Sequence, residues 1–206
     1  MHDKEELLKG IYIEIARCVR CNLHTTRTCS VPGEGNADAK IMFIGEAPGF
    51  NEDQQGRPFV GAAGKFLTEL ICSIGLTRED VYITNVVKDR PPGNRDPLPD
   101  EISACCNFLD RQIEIIKPKI IVTLGRFSMA RYFTGITISK IHGQPMRRDG
   151  IIYYPMYHPA AALHQGGLRK EIEQDMLRIP RLLEELKCAE ALLVPKEPPT
   201  RQLGLF

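Results

Sequence analysis

Four short stretches hold residue types that could act on a bound molecule. The first is Gly45-Glu46-Ala47-Pro48-Gly49, which leaves an apolar run. Glycines at both ends of the turn let backbone approach a ligand closely. Pro48 fixes its path, and Glu46 puts a carboxylate inside it. The segment continues to Gly56-Arg57-Pro58-Phe59-Val60-Gly61, where an aromatic ring on a Gly-rich loop offers a stacking face. Asn85 lies late in a second apolar run, although Asn is disfavoured in strands and a buried amide needs partners. It is either a core bridge or a reader of a ring edge, because one amide presents a donor beside an acceptor. Such a reader pairs with a carbonyl next to an N–H and rejects a ring bearing an amino group there. His158-Pro159 ends a further apolar run. A histidine there is a satisfied structural residue or a donor to an oxygen that becomes negative during reaction.

A second chemistry lies in the cysteines. Cys18 and Cys21 form a C-x2-C pair, which on its own suits zinc, redox work or an iron–sulfur cluster. Seven cysteines are many for a reducing compartment, and the odd count speaks against a disulfide framework. Cys72 sits in a helical apolar pattern and reads as core; Cys29 and Cys188 have no partner by spacing.

Positioning these residues requires a sheet. Segments 40–46, 81–88 and 119–126 are nearly continuous apolar runs, as in parallel strands covered on both faces, and 150–158 reads as a fourth strand. Apolar residues at helical spacing mark helices over 4–17, 64–75, 100–116, 126–133 and 170–186. The alternation predicts an α/β fold, a three-layer α/β/α sandwich around a mostly parallel four-stranded sheet. Ligands of such sheets bind beyond the carboxyl ends of the strands, where Glu46, Asn85, Gly125 and His158 fall.

The 206 residues suit one domain, expected over 1–187, followed by a flexible tail over 188–206. With 27 basic and 26 acidic side chains the net charge is +1, which excludes a uniformly basic coating protein but not a local basic face. Arg57, Lys65, Arg90, Arg95 and Arg126 are candidate phosphate contacts on the ligand side. Arg147-Arg148 reads as a hairpin turn. No run is apolar enough to span a bilayer, and the charged N-terminus is unlike a signal peptide, so a cytoplasmic protein with no membrane partner is expected.

GEAPG, GRPFVG, the Asn of ITN and the His-Pro of YHPAAAL occur in an order and at a spacing that resembles the iron–sulfur (family four, type a) uracil-DNA glycosylases. The likeness runs from about Ile15 to Leu186. It implies a monofunctional DNA N-glycosylase, a monomer, that removes uracil from single- and double-stranded DNA and so starts base excision repair. By the same likeness, Glu46 helps position the attacking water, Phe59 stacks on the flipped uracil, Asn85 reads its edge and His158 faces O2. Ala47 stands where the better-known uracil glycosylase class has a catalytic Asp. Leu163 is a candidate wedge for the gap left by the base, or a plain core residue. The resemblance also implies a 4Fe-4S cluster on Cys18, Cys21 and Cys105. Its remaining ligand departs from the family's Lys-Cys-Arg-Pro-Pro, because this chain has Lys88-Asp89-Arg90-Pro91-Pro92. Either Asp89 ligates through oxygen, or neighbouring Cys106 substitutes, or the cluster is incomplete or replaced by zinc; Asp89 is the favoured ligand. The alternatives to an active enzyme are a DNA-binding relative without activity and a structural zinc protein. A covalent uracil-capturing relative is discounted, since 90–101 has neither an Arg-rich insert nor a histidine. Gln202, Leu203, Leu205 and Phe206 resemble the QLxLF peptide with which bacterial proteins bind the replication sliding clamp.

Overall fold

A computed structural model describes residues 3–193, with side chains through 188. Among the described residues the sheet has six strands, running across it as β1 (Glu34–Gly35), β3 (Tyr82–Asn85), β2 (Ile41–Gly45), β4 (Ile120–Leu124), β6 (Ile151–Met156) and β5 (Met146–Arg148). Its four central strands are those expected: β2 (Ile41–Gly45), β3 (Tyr82–Asn85), β4 (Ile120–Leu124) and β6 (Ile151–Met156), all parallel. Two short antiparallel edges flank them, β1 (Glu34–Gly35) on β3 and β5 (Met146–Arg148) on β6. Arg147 and Arg148 therefore belong to a strand rather than a turn. The hairpin turn is Asp149-Gly150, both at positive φ, as a two-residue turn matching the strand twist requires.

Helices cover both faces. Ile41 and Phe43 of β2 point to one side, with Phe66, Leu67 and Leu70 of α3 (Ala62–Ser73), Ile172 and Met176 of α8 (Gly166–Met176), and Ile179 of α9 (Ile179–Leu193). Met42 and Ile44 point to the other, with Leu8 of α1 (Lys4–Ala16), Cys105 and Leu109 of α4 (Pro99–Ile116), and Met129 of α5 (Arg126–Ala130). The alternation along a strand buried on both sides gives the three-layer sandwich. The shorter α2 (Phe50–Gln55), α6 (Ile138–Ile141) and α7 (Pro159–His164) lie in the connections.

The closing helix expected over 170–186 is two helices. Pro180 lacks the N–H a continuous helix needs and sits in the first turn of α9 instead. That helix continues to Leu193, past the boundary expected after Lys187. The tail peptide Gln202, Leu203, Leu205 and Phe206 lies outside the described residues. Among those residues no helix is long and apolar enough to cross a membrane.

Candidate active site

The carboxyl ends of the strands converge on a cavity of about 490 Å³. Glu46, Ala47, Phe59, Asn85 and His158, the residues singled out around Gly45-Gly49, all line it. Register brings them together. Gly45 of β2 pairs with Asn85 of β3, and the Val86 and Val87 N–H groups donate to the Gly45 and Glu46 carbonyls at 3.1 Å each.

Asn85 is 1% exposed, and its Oδ1 has no hydrogen-bond partner among the described residues. A buried acceptor left unpaired costs roughly 1–3 kcal/mol, so this one marks a place where a ligand donor belongs. Its backbone is anchored from behind. The fully buried Lys88 ammonium donates to the Asn85 carbonyl at 2.8 Å, to Thr84 Oγ1 at 2.7 Å and to Gln112 Oε1 at 2.8 Å. Burial pushes Lys88 down to about 7.

Phe59 is buried, with its ring 5.6 Å from that of His158 and 27° from parallel. Its φ of +52 lies in the left-handed region, which costs a non-glycine residue on the order of 1–3 kcal/mol. The ring fits only because residue 45 is glycine. A Cβ there would lie 2.4 Å from Asn85 Oδ1 and 2.6 Å from the Phe59 ring.

Burial lowers His158 to about 4, so the imidazole is neutral at neutral pH. Its Nδ1 lies 3.1 Å from the Ala160 backbone nitrogen and accepts that N–H at the start of α7. The proton therefore resides on Nε2, and the ring is a donor there. Burial, with Asp96 nearby, raises the Glu46 carboxyl to about 7 against the pull of Arg126. Ala47 contributes only a methyl group, so no base stands at that position.

Glu52 joins the two glycine-rich stretches, and its importance was not read from the sequence. Its Oε2 accepts from Gly49 N–H at 3.1 Å, and its Oε1 from Val60 and Gly61 N–H at 2.8 Å each. The Gly49-x-x-Glu52 spacing, a helix N-terminus with a carboxylate three residues in, was the available signal.

The other expected residues are placed as follows. Leu163 is exposed on α7, one helical turn beyond His158, and does not line the cavity. Three of the candidate phosphate contacts are already ion-paired: Arg57 with Glu34, Arg95 with the buried Glu101, and Arg126 with Asp96. Arg90 bonds Asn94 at 2.7 Å and lies over the Phe50 ring.

Asp89 is buried. Its Oδ2 accepts from Arg27 at 2.9 Å, while its Oδ1 has no partner among the described residues. Arg27 also donates to the Cys18 and Ala16 carbonyls, tying the end of α1 to this loop. Cys105 is near enough to feel the charge of Cys21 and Asp89, and Cys21 that of Asp89 and Cys18. Burial pushes the Cys105 thiol up to about 11. The Cys106 Sγ donates to the Ser103 carbonyl at 3.0 Å. Among the described residues no three Cys, His, Asp or Glu side chains gather closely enough to hold a single metal ion.

The fold is a three-layer α/β sandwich whose cavity lies beyond the carboxyl ends of its parallel strands, where enzymes of this architecture bind their ligands. The family model of the Uracil DNA glycosylase superfamily matches residues 32–178. The chain is 54% identical over 185 residues to the type-4 uracil-DNA glycosylase of Sulfurisphaera tokodaii, covering 85% of this chain and 84% of that one. It is 50% identical to that of Archaeoglobus fulgidus (86% and 94% covered) and 45% identical to that of Thermotoga maritima (85% and 94%). The chain belongs to the uracil-DNA glycosylase superfamily, in its type-4 group.

Proposed function

We propose that the chain hydrolyses the bond between uracil and deoxyribose in DNA, leaving an abasic site, with Asn85, Phe59, His158 and Glu46 as its working residues. The unpaired, buried Oδ1 of Asn85 carries this reading. It awaits an N–H beside a carbonyl. The N3-H and O4 edge of uracil supplies that pattern, and cytosine, with its amino group, does not. Excision requires the nucleotide to leave the helix stack first. Phe59 would give the extruded ring a face to lie on, and Leu163, exposed on α7, would occupy the gap in the stack.

When the C1′–N1 bond breaks, its electron pair goes to uracil and spreads onto the carbonyl oxygens. The Nε2–H of neutral His158 donates to O2, a preorganised donor aimed at charge that develops only in reaction. The sugar left behind is cationic. Water adds at C1′, oriented by the Glu46 carboxylate, which takes its proton.

The residues around Asp89 fit a 4Fe-4S cluster on Cys18, Cys21, Cys105 and Asp89. Supporting this are a buried Asp89 oxygen without a partner among the described residues and the nearness of Cys105 to Cys21 and Asp89. Such a cluster would serve as a structural tie between the end of α1 and the loop after Asn85. Thiolate ligation needs Cys105 to lose its proton, so loading releases protons. The C-terminal Gln202, Leu203, Leu205 and Phe206 would bind an apolar pocket on the sliding clamp.

The direct test is a labelled single-stranded oligonucleotide with one uracil, read by alkaline cleavage beside a thymine control. Scission only at uracil, cut roughly 10²–10³-fold by Asn85→Ala or His158→Ala, is expected. Equal scission by wild type and Asn85→Ala would remove Asn85 from the reading.

A further inference from the structure

Phe59 is held in a conformation its residue type resists, and something must pay the difference. On one side the helix backbone crowds it, since a Cβ on Gly64 would lie 1.9 Å from the Phe59 carbonyl oxygen. On the other side stands Arg78, in the one-turn 3-10 helix Arg78–Asp80 that leads into β3. Its Nη2 donates to the Pro58 carbonyl at 2.7 Å and its Nη1 to the Phe59 carbonyl at 3.2 Å. Nη1 also reaches Thr68 Oγ1 of α3 at 3.3 Å. The guanidinium is oriented by Glu34, whose Oε1 accepts from Arg78 Nε at 3.0 Å and also from Nη2. Burial alone would raise Glu34, but its bonds to Arg57 and Arg78 outweigh it and keep the carboxyl below its ordinary value.

Arg78 does not line the cavity. It lines a separate polar cleft with Glu34 and Arg57. It is the planar, forked donor that can hold two successive carbonyls and a carboxylate at once, which an ammonium on a flexible stem cannot do.

We propose that Arg78, set by Glu34, is a positioning residue for base excision: it locks the Pro58–Phe59 peptide so that the Phe59 ring stands against Gly45 and His158 before DNA arrives. The inference rests on the reading of Phe59 as the stacking platform. Without the clamp the peptide relaxes towards ordinary φ and the ring leaves its place. The extruded base is then received in the wrong position, while the DNA-contacting surface is unchanged. The defect falls on the chemical step and not on DNA affinity.

The experiment is a double-mutant cycle on the full chain, measuring single-turnover excision and DNA affinity separately. Arg78→Ala should lower the single-turnover rate roughly tenfold to a hundredfold while leaving affinity for uracil-containing DNA within about twofold. The same loss should vanish in a Phe59→Ala background, since a group acting through Phe59 has nothing left to act on. Arg78→Lys, which keeps the charge, should show a smaller loss with the same dependence on Phe59; it carries the test if Arg78→Ala does not fold. An Arg78 defect that persists in full in the Phe59→Ala background overturns the proposal, as does a wild-type rate for the folded Arg78 variants. A wild-type rate for Phe59→Ala alone instead refutes Phe59 as the platform, and the proposal falls with it.

Discussion

Glu46 sets a pH dependence that can be worked from its surroundings. Its carboxyl is raised to about 7, first by burial and then by Asp96, with Arg126 opposing. If the ionised form orients water, kcat/KM of the free enzyme rises with pH through that value. The ionised share is roughly a tenth at pH 6 and roughly nine-tenths at pH 8, a tenfold gain over two pH units, whereas an ordinary Glu would give a flat line. His158 cannot mimic this limb, because its own titration lies near 4. The neighbours give the direction of two shifts. Arg126→Ala moves the midpoint up by removing the favourable cation, and Asp96→Asn moves it down by removing the repelling anion. Stability runs the other way. A carboxyl raised from 4.5 in the unfolded chain destabilises the fold progressively as pH climbs from the ordinary value through about 7. Glu46→Gln should therefore stabilise the protein above neutrality by about 1 kcal/mol, once the shift is discounted for solvent at this partly buried group. The assay is kcat/KM on a uracil oligonucleotide at constant ionic strength from pH 5.5 to 8.5, with thermal unfolding on the same samples. A flat wild-type profile, or a Glu46→Gln enzyme with the same midpoint, refutes the role given to Glu46.

Three further outcomes follow from the same contacts. Gly45→Ala places a Cβ against both Asn85 Oδ1 and the Phe59 ring, so excision should fall at least roughly a hundredfold while far-ultraviolet circular dichroism stays native. If Asp89 holds the proposed cluster, Asp89→Cys should slow the loss of iron and sulfide in air; equal loss rates in both proteins would remove Asp89 from the proposed ligand set. Deleting 202–206 should abolish binding to a purified bacterial sliding clamp and leave excision of uracil intact, and unchanged clamp affinity would reject the tail as a docking peptide.

The residues that touch the cavity were legible because each breaks a pattern. Asn85 interrupts an apolar strand, Glu46 sits between glycines, and His158 ends a buried run just before a proline. Strand ends are also where an α/β sheet gathers its ligand residues, so four separated segments could be assigned to one place. What supports those residues was harder to see. Arg78 holds carbonyls twenty and nineteen positions earlier in the chain, and nothing local separates it from the arginines that merely sit on the surface. Lys88 looked like a polar strand terminus. Gln112 and Thr84 are the acceptors that let its ammonium be buried, and α4 brings Gln112 in from twenty-four residues away. The break at Pro180 could have been read, since the proline was visible within the helical pattern.

The same enclosure explains both the choice of base and the modest equipment for catalysis. A cavity able to desolvate Asn85 also desolvates Glu46 and His158. It leaves one carboxyl part-protonated at neutral pH and the imidazole without charge. With only a methyl at Ala47, the part-protonated Glu46 is left to take the proton of water, a weak base for making hydroxide. A mechanism driven by attack on C1′ would be poorly served by such a set. A mechanism driven by departure of the base is well served, because its demand is for neutral donors already in place around the leaving ring. In the proposed reaction uracil leaves as a delocalised anion, so the His158 N–H at O2 and the Asn85 amide on the N3–O4 edge would act where the charge goes. The platform under the ring then matters as much as the donors, because a donor aimed correctly at a misplaced base stabilises nothing. On this view the unpaired Oδ1 of Asn85 and the strained backbone of Phe59 serve one purpose: both are costs already met in the folded protein, so that no reorganisation remains when the bond breaks.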